Sequence, residues 1–397
     1  MLILICNVGS TSLKFRLFDM PEERTLAESK IERVGSANNS IFAFKNFNKN
    51  LEFEQEKVHV PDYGTGINLF LQYLTDGEYG AIASVDEVTA VGFKTVHAQG
   101  VSGIRLLNEE VIQAMEKYIS IAPLHNRFYV DAIRKFIEIL PDKPMVGVFE
   151  TAFHLTMPPE ARTYGIPYEW KEKYGIQRYG FHGNSHRFIT NKVREISGKE
   201  EFKLISCHLG GSSSITAVKD GESLENSFGF SLQSGLSHAN RAGDIDPYIL
   251  VYLMKEEGYT LDQVLDDLTK RGGMYGISGV SNDLRDIQKS AEEGNARAKL
   301  AIDVFCYEIR KFIGSYYAIL GGLDYLVFTG GIGENSVMVR EKVCTSLAHL
   351  GIKIDLALNR EGPKERFICA QDSPVKVLVA PTNEEIGIAR DMFAFFN

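Results

Sequence analysis

The chain opens with three segments in which apolar residues dominate or alternate with polar ones, LILICNVG, SLKFRLFD and TLAESKIERV. Turn-forming residues such as Gly9 separate them. Short apolar or alternating runs bounded by turn residues are typical of β-strands. The pattern therefore predicts that the chain starts with a β-meander.

Further along, segments with a helical spacing of apolar residues alternate with short apolar runs. The spacing predicts helices over INLFLQYL and over residues 108–119 and 125–139, and strands over VTAVGFKTVH and MVGVFET. The polar stretch from SANNS through FEQEK is predicted to be a surface excursion. We expect the first lobe to comprise residues 1–150.

A second unit repeats the pattern of the first. The segment KLISCHLGGSSSITAVKDGESLENS matches the opening of the chain in outline, as strand, glycine-serine turn, strand, acidic turn and strand. After it come an amphipathic helix over residues 292–319, the strands DYLVFTGG and VKVLVAP, and the closing helix EEIGIARDMFAFF. Strands that alternate with helices predict an α/β fold. The second lobe is expected over residues 151–383, with the helix at 384–397 packed back on the first lobe.

Composition narrows the class of protein. A chain of 397 residues with 44% hydrophobic residues can fill two cores, and a net charge of −9 disfavours broad binding to nucleic acids or anionic membranes. The five cysteines are scattered without C-x-x-C spacing, so they predict neither a disulfide framework nor a zinc site. No apolar run approaches the ~20 residues that span a bilayer, and the opening residues lack a basic leader. We expect a cytoplasmic globular protein.

Three glycine turns are candidates for binding phosphate. The chain has no G-x-x-x-x-G-K-[ST] motif, so other turns would have to hold a nucleotide. NVGSTSLK, HLGGSSS and FTGGIGEN each follow a predicted strand, and their glycines would let the backbone approach an anion. One such turn alone usually just reverses the chain, but three in two similar units favour a nucleotide cleft between lobes. The candidate residues are Asn7, Ser10, Ser12, Lys14, His208, Gly210, Gly211, Ser212, Ser214, Gly330, Gly331 and Gly333.

Cationic and histidine side chains also occur in turn-like sequence. Arg241 lies in SHANRAGDIDP and Arg285 in SNDLRD, while RYGFHGNSH places His182 and His186 in a loop after Gly180. An arginine is usually a solvated surface residue, and a lone histidine is more often a structural hydrogen-bonding group than a catalyst. From the residues alone, a functional and a structural interpretation both stay open.

Taken in order, these motifs resemble those of the acetate kinase family over essentially the whole chain. NVGSTSLKF is similar to the family's opening N-x-G-S-S-S-x-K, and APLHN, ETAFH, YGFHGNSH, CHLG, RAGDIDP, GISGVSNDLRD, FTGGIGENS and PTNEE recur in family order. The resemblance implies an α/β fold of two RNase H-like lobes, as in actin and the sugar kinases. It also implies reversible, direct in-line transfer of phosphate from ATP to a short-chain carboxylic acid such as acetate, giving an acyl phosphate and ADP.

The resemblance implies roles for particular residues and a homodimer through the second lobe. The catalytic residues would be Lys94, Glu150, His182 and Arg241, and Mg²⁺ or Mn²⁺ would lie near Asn7 and Glu384. Phosphate would contact Ser10, Ser12, Lys14, His208, Gly210, Gly211 and Ser212. The nucleotide would contact Asp283, Leu284, Arg285, Gly331, Ile332, Gly333 and Asn335. The alkyl end of the acid would lie among Val96, Leu124, Phe181 and Leu232.

The chain departs from the family pattern at several of these positions. Lys94 stands where the family has an arginine, and Glu150 stands where it has an aspartate. An ammonium cannot hold two oxygens at once as a guanidinium does. We hypothesise that the two changes are a coupled exchange, and independent drift is the alternative. In the second glycine turn, Gly211 replaces an asparagine of the family and Ser212 replaces a glycine.

Three functions are compatible with these departures. The first is the carboxylic acid kinase, with an acid larger or more polar than acetate, because His97, Gln99 and Arg127 add polar groups beside an apolar pocket. The second is an ATP-binding sensor or scaffold whose acid site has decayed. The third is a kinase for a hydroxylated substrate, with Glu150 as general base. A carboxylate is already ionised at neutral pH, so the first reaction needs positive charge rather than a base.

Overall fold

The computed structural model describes residues 1–36, 38–123 and 125–397. The chain divides into two compact units. The first unit comprises Met1–Ala152 and Asn383–Asn397, and the second comprises Phe153–Thr382. Each unit has its own sheet with buried apolar residues packed against it.

The described part of the first unit contains a sheet of eight strands. They are β1 (Leu2–Gly9), β2 (Ser12–Asp19), β3 (Arg24–Glu32), β4 (Ser40–Asn46), β5 (Leu51–Val58), β6 (Val88–Phe93), β7 (Ile104–Leu106) and β8 (Met145–Val148). Their spatial order is β5-β4-β3-β2-β1-β6-β8-β7. Strands β1, β2 and β3 form the predicted antiparallel meander. Strands β1, β6 and β8 run parallel to one another.

The stretch that the sequence predicts to be a surface excursion forms β4 and β5 instead, which extend the sheet beyond β3. Every second residue of β4 is buried, because Phe42 and Phe44 face the core beside Phe53 and Tyr73. This alternation is a strand pattern. The mostly exposed, charged residues of β5 hide it in the sequence.

Helices pack on the first sheet. They are α1 (Tyr63–Leu74), α2 (Glu109–Lys117), α3 (Asn126–Ile139) and the carboxy-terminal α15 (Glu384–Phe396), with a 3-10 turn at Val85–Glu87. The start of α15 is set by Asn383, whose side chain accepts a hydrogen bond from the Ile386 amide. Helix α15 packs against β1, β6 and β8, so the last residues of the chain complete the first unit.

The second unit repeats the sheet order of the first. Its strands are β9 (Lys203–His208), β10 (Ser214–Lys219), β11 (Glu222–Asn226), β12 (Tyr325–Thr329), β13 (Arg366–Phe367) and β14 (Lys376–Val379), in the order β11-β10-β9-β12-β14-β13. Strands β9 to β11 are an antiparallel meander, and β12 and β14 continue from β9 in parallel. In each unit, the first strand therefore has a meander on one side and two parallel strands on the other, which is the repeat predicted from the sequence.

The helices of the second unit include the long, amphipathic α11. They are α4 (Pro159–Arg162), α5 (Tyr168–Tyr174), α6 (Gly183–Ser197), α7 (Tyr248–Lys255), α8 (Leu261–Lys270), α9 (Gly273–Ser278), α10 (Leu284–Glu292), α11 (Ala296–Leu320), α12 (Gly330–Asn335), α13 (Val337–Thr345) and α14 (Leu356–Arg360), with 3-10 turns at Ala152–Thr156 and Ala348–Leu350. Asn295 caps the start of α11 and Gly321 ends it in a left-handed conformation. One face of α11, including Phe305 and Ile309, belongs to the core of this unit.

Over residues 1–36, 38–123 and 125–397, none of the helices combines the length and hydrophobicity needed to cross a membrane.

Candidate active site

Polar side chains collect at one edge of the first sheet. Asn7 lies near the end of β1, Lys94 follows β6, and Glu150 comes just after β8. Because these three strands are parallel neighbours, their carboxyl ends meet at the same edge. That edge is where ligands usually bind in open α/β sheets. The first residue of α15, Glu384, joins the group.

Lys94 is the centre of this cluster. Its Nζ lies 3.2 Å from Glu150 Oε1 and forms a close ion pair with Glu384 Oε2. The Glu150 side chain is 3% exposed and that of Glu384 is 15% exposed, so the charges are largely removed from water. Burial opposes the charge on Lys94, but the attraction of the two carboxylates outweighs it and holds the pKa of Lys94 well above its usual value.

Tyr129 of α3 forms a hydrogen bond with the side chain of Asn7. The Tyr129 hydroxyl donates to Asn7 Oδ1 at 3.0 Å and accepts from the Val8 amide at 3.3 Å. Burial raises the pKa of Tyr129, so its hydroxyl stays protonated. Tyr129 also interacts electrostatically with Lys94. The amide of Asn7 therefore lies in the same cluster as the three charges.

The donors of this cluster fit a magnesium ion. Amide and carboxylate oxygens are hard ligands, and Mg²⁺ is usually held by one or two carboxylates together with substrate phosphates and water. In the part of the chain that the structure describes, no group of three or more His, Cys, Asp or Glu is arranged to hold a metal. Asn7 and Glu384 thus suit an ion that shares its ligands with a nucleotide better than one held entirely by protein.

The first glycine turn is a tight β-hairpin between β1 and β2. Gly9 pairs with Ser12, and Asn7 pairs with Lys14 on the neighbouring strand. A Cβ on Gly9 would lie 2.5 Å from the Ser12 hydroxyl oxygen, so a side chain there would require the Ser12 hydroxyl to rotate away. Ser10 and Lys14 are exposed. The turn therefore presents small polar groups and one ammonium to solvent.

Two histidine rings lie against each other in the second unit, with an interplanar angle of 33°. His182 is the N-cap of α6 and His208 ends β9, and their ring centroids are 4.2 Å apart. His208 Nδ1 is 2.7 Å from the Ser185 hydroxyl, and His182 Nδ1 is 2.9 Å from the Ser214 hydroxyl. His186, which the sequence placed in a loop, belongs to the buried first turns of α6 instead.

Arg241 is a buried cation in the same unit. It is 6% exposed, and burial lowers its pKa to about 10. Its guanidinium donates to the Ser212 hydroxyl in a short hydrogen bond. Ser212 belongs to the second glycine turn, which also bonds to the Arg241 loop through the Ala239 amide and the Gly211 carbonyl at 3.0 Å. The glycine turn and the arginine loop are thus joined by two hydrogen bonds.

A cavity of about 710 Å³ opens beside this turn. Such a volume is within the range of small-molecule and cofactor sites. Its lining combines the second and third glycine turns with the start of α10: Gly210, Gly211, Ala239, Asn240, Asn282, Asp283, Leu284, Arg285, Gln288, Gly331, Ile332, Asn335 and Ser336. Six of the seven residues that the sequence suggests for the nucleotide therefore line one cavity.

The geometry of the cavity depends on the third glycine turn. Gly330 has a φ of +76°, and a Cβ there would lie 2.7 Å from the Leu209 carbonyl oxygen. That carbonyl accepts from the amides of Ile332 and Gly333 at 2.8 and 3.1 Å. Gly333, the seventh candidate, is buried against this turn and does not line the cavity.

Asp283 and Arg285 are paired at the rim of the cavity. Asp283 caps α10 by accepting from the Arg285 amide at 2.9 Å, and its carboxylate also binds the Arg285 guanidinium. These hydrogen bonds lower the pKa of Asp283 to about 2. The Arg285 side chain is 90% exposed, so it is available to a ligand.

The residues suggested for the acid pocket are distributed over both units. Val96 of the first unit and Phe181 and Leu232 of the second are buried, and Leu124 lies outside the described residues. His97 is fully buried beside Tyr118. Arg127 is exposed on α3.

Sequence reasoning missed the side chains that support these residues. They are Tyr129, Ser185 and Ser206, together with Asn240, Asn282, Gln288 and Ser336 in the cavity wall. Their positions follow from contacts between distant segments. Ser185, Asn240, Asn282 and Ser336 stood in motifs that the sequence had already marked, namely YGFHGNSH, SHANRAGDIDP, SNDLRD and FTGGIGENS.

The whole chain matches a known family. Residues 2–390 match the model of the Acetokinase family. The chain belongs to the acetokinase family. Its relatives include the acetate kinase of Geobacillus kaustophilus (strain HTA426), which is 46% identical over 398 positions that cover 100% of this chain and 99% of that protein. The acetate kinase of Bacillus subtilis (strain 168) is 44% identical, with 98% of each chain covered.

Solved structures of acetokinase family members share the fold. The acetate kinase of Porphyromonas gingivalis matches with a TM-score of 0.88 and 38% identity, covering 100% of both chains. A propionate kinase from Francisella tularensis matches with a TM-score of 0.89 and 34% identity, covering 98% of both. The predicted fold class, α/β with two RNase H-like lobes, is confirmed by these likenesses and by the repeated sheet order.

Proposed function

We propose that this protein transfers the γ-phosphoryl group of ATP to the carboxylate of acetate or propionate, giving an acyl phosphate and ADP. The observation that carries the proposal is the match to the Acetokinase family from residue 2 to residue 390. Relatives named acetate kinase are similar over the full chain, and a structure named propionate kinase shares the fold. The cavity of about 710 Å³ in the second unit, lined by glycine turns, supports nucleotide binding.

The proposed reaction is an in-line displacement at phosphorus. A carboxylate oxygen forms a bond to the γ-phosphorus while the bond from that phosphorus to the β–γ bridging oxygen breaks, and ADP leaves with the electron pair. The acid is ionised at neutral pH, so no proton has to be removed. The difficulty is repulsion between two anions, together with charge that spreads over the equatorial oxygens. Fixed positive charge and hydrogen-bond donors are therefore the useful catalytic groups.

The catalytic roles proposed for the second unit follow from this need. Arg241 is a buried guanidinium whose charge is not screened by water, so it is suited to stabilising the phosphoryl group in flight. His182 and His208 present two neighbouring imidazoles next to the second glycine turn. Asp283, Leu284, Arg285, Gly331, Ile332 and Asn335 would hold the nucleotide in the cavity, with Gly333 supporting the turn.

In the first unit, Lys94 and the hairpin are proposed to act on anionic substrate groups. Lys94 keeps its charge because Glu150 and Glu384 stabilise it. Ser10, Ser12 and Lys14 offer donors at the turn between β1 and β2. Asn7 and Glu384 would hold Mg²⁺, which when bound to the nucleotide would neutralise phosphate charge. Val96, Phe181 and Leu232 are proposed for the alkyl end of the acid.

The proposal is tested by incubating the purified protein with ATP, Mg²⁺ and hydroxylamine and measuring acyl-hydroxamate formation for acetate, propionate, butyrate and hydroxy acids. We expect product with acetate or propionate and ADP release that depends on the added acid. ATP binding without acid-dependent ADP release would instead indicate a sensor or scaffold. Activity on polyols with none on carboxylic acids would indicate a kinase for hydroxyl groups.

We also propose that the protein forms a homodimer through the second unit. Helix α7 is strongly apolar, yet none of its residues is buried within the chain. Tyr248 is 75% exposed and Tyr252 is 57% exposed, and Leu261 and Leu265 of α8 are also exposed. A contiguous apolar surface of this kind is typical of an interface. Light scattering should give twice the mass of the chain, and Tyr252→Glu should lower it, whereas Leu106→Glu in the first unit should not.

A further inference from the structure

A chain of four buried or half-buried side chains leads from the core of the second unit to His182. The Ser206 hydroxyl lies 2.9 Å from His186 Nδ1, and His186 Nε2 lies 2.7 Å from the Ser214 hydroxyl. The same Ser214 hydroxyl lies 2.9 Å from His182 Nδ1. Ser206, His186 and Ser214 are each 0% exposed, whereas His182 is half-buried.

His186 is neutral within this chain. Burial lowers its pKa well below the usual value, and the neighbouring His154 and His208 lower it further. A neutral imidazole has one nitrogen that donates a hydrogen bond and one that accepts. The two nitrogens of His186 therefore take opposite roles. If Nδ1 accepts a hydrogen bond from Ser206, Nε2 donates to Ser214; if Nδ1 donates, Nε2 accepts.

The Ser206 hydroxyl determines which nitrogen of His186 carries the proton. Among the residues that the structure describes, its hydrogen-bond partner is His186 Nδ1. If His186 donated to Ser206, the buried hydroxyl hydrogen of Ser206 would be left without an acceptor, which is unfavourable. With Ser206 donating, His186 is protonated on Nε2 and donates to Ser214. Ser214 then donates its own hydrogen to His182 Nδ1, so both serine hydroxyls and the N–H group of His186 have acceptors.

We propose that Ser206, His186 and Ser214 are positioning residues that fix the neutral tautomer of His182 with its proton on Nε2. This inference rests on the proposed function, in which His182 acts on the phosphoryl group. With Nδ1 occupied as an acceptor, Nε2 can meet an oxygen only as a donor. His182 thus stabilises developing negative charge as a neutral N–H group that is oriented before the substrate arrives.

The backbone of His182 supports this assignment. Its φ of 56° and ψ of 28° lie in the left-handed region, which is unfavourable for a residue with a Cβ. Such a conformation persists only where the surroundings impose it, and it is frequent at functional sites. Here the hydrogen bond to Ser214 and the neighbouring ring of His208 hold the side chain in one orientation.

The first test is direct observation of the tautomers in the unmodified protein. ¹⁵N spectra of histidine-labelled protein would be assigned through the signals lost in His182→Asn and His186→Gln; the chain has nine histidines. We expect both residues to show a protonated Nε2 and a hydrogen-bonded, unprotonated Nδ1. A proton on Nδ1 of either residue would overturn the inference, whatever the activity of the protein.

The second test distinguishes the effect of the Ser214 hydroxyl from the effect of side-chain volume. Ser214→Thr and Ser214→Val add side chains of the same shape, but only threonine keeps the hydroxyl. We expect the threonine variant to retain the His182 spectrum and kcat within about threefold. In the valine variant, the Nδ1 signal should shift to a non-bonded position and kcat should fall about tenfold or more, with little change in the KM for ATP. Equal kcat in the two variants would contradict the positioning role.

Ser223→Ala is the matched control for these variants. The Ser223 hydroxyl is equally buried and bonds to another imidazole, His154 Nδ1, at 2.8 Å, outside the chain that ends at His182. We expect it to leave the His182 spectrum and kcat unchanged. If neither variant at Ser214 folds, the tautomers observed in the unmodified protein confirm or contradict the inference on their own. If no carboxylic acid is phosphorylated but the predicted tautomers are observed, the proposed function fails and the tautomer assignment stands.

Discussion

Lys94 is a single cation placed between two buried carboxylates. Glu150 and Glu384 contribute two negative charges against one positive charge, and removing one partner of such a buried group leaves charge uncompensated. The sequence suggested that Lys94 and Glu150 had changed together. They are in contact, with 3.2 Å between Nζ and Oε1, and contact is the condition under which two substitutions depend on each other.

We predict that Lys94→Arg and Glu150→Asp are coupled. Each single change should lower kcat/KM about tenfold, because a wider cation crowds the longer acid and a shorter acid leaves the ammonium out of reach. The double variant should recover activity towards that of the unmodified protein, with a coupling free energy of about 2 kcal/mol or more, because two tenfold losses together amount to about 2.7 kcal/mol. Steady-state kinetics of the four proteins provides the measurement.

An exposed ion pair in the same unit offers the comparison. Lys45 Nζ lies 2.6 Å from Glu52 Oε2 between β4 and β5, and both side chains are exposed. The effects of Lys45→Arg and Glu52→Asp on kcat/KM should be additive, because a solvated ion pair contributes little. Additive effects at Lys94 and Glu150 as well would favour independent drift over a coupled exchange.

At the scale of elements, α12 is a short helix that forms part of the cavity wall. It begins at Gly330, directly after β12, and its residues Gly331, Ile332 and Asn335 line the cavity. A Cβ on Gly331 meets open space and its φ is not left-handed. A side chain there is therefore compatible with the fold and would occupy space beside the cavity.

We predict that Gly331→Leu weakens nucleotide binding without unfolding the protein. The KM for ATP should rise about tenfold, because the side chain takes volume from the cavity, whereas the KM for the acid should change little. Gly314→Leu is the matched control: Gly314 of α11 also has open space at its Cβ position but does not line the cavity. Equal effects of the two substitutions on the KM for ATP would argue against this cavity as the nucleotide site.

Helix α12 is held at its end by a buried arginine of α13. Arg340 is 1% exposed and donates to the carbonyls of Gly333 and Glu334 at 2.8 Å each. It also donates to Asn359 Oδ1 at 2.7 Å and to the Asn359 carbonyl at 2.9 Å. Burial lowers the pKa of Arg340 to about 10. Its guanidinium therefore serves as a hydrogen-bonding link between the ends of α12 and α14.

We predict that Arg340→Met destabilises the second unit by about 3 kcal/mol, because four carbonyl and amide oxygens each lose a hydrogen-bond donor in a dry environment. Urea unfolding followed by the fluorescence of Trp170 measures this, since the only tryptophan of the chain lies in α5 of that unit. Arg366→Met, which also removes a donor to the Asn359 carbonyl but at a partly exposed site, should cost clearly less. An Arg340 variant as stable as the Arg366 variant would contradict the structural role.

At the scale of the whole molecule, the second unit contains buried neutral histidines. Burial lowers the pKa of His154 to about 4 and that of His238 to about 3. The His238 Nδ1 accepts from the Ser213 amide at 3.1 Å, a bond that protonation would break. In the unfolded chain both groups return to a pKa near 6.5. The unfolded state thus binds more protons below that pH, and stability falls as the pH is lowered through this range.

We predict that the second unit loses about 2 kcal/mol of stability between pH 6.5 and 5.5 from His154 and His238 together, with His186 adding in the same direction. Urea midpoints from Trp170 fluorescence at several pH values measure the loss. His154→Gln should reduce the pH dependence by about 1 kcal/mol over this interval, whereas the exposed His349→Gln should leave it unchanged. A stability that is flat from pH 7 to 5.5 would contradict the prediction.

Much of the fold could be predicted because it is encoded in local patterns. The meander of β1 to β3, its repeat in β9 to β11 and the turn from β12 into α12 were all visible as short apolar runs bounded by glycine. The pair β4 and β5 was missed because the buried alternation around Phe42 and Phe44 is short and is followed by the charged, mostly exposed residues of β5. A strand at this edge is recognised by its pairing with β3, which is not a local property.

The sequence by itself determined the alternation of strands and helices, the internal repeat and the family, since periodicity and ordered motifs are carried by neighbouring residues. Only the tertiary structure decided which side chains meet. Lys94, Glu150 and Glu384 are far apart along the chain, and the parallel strands and α15 bring them to one sheet edge. The link from Ser206 to His182 likewise joins β9, α6 and β10. Hydrogen bonds and ion pairs form between atoms that packing brings together, and packing is set by the whole chain.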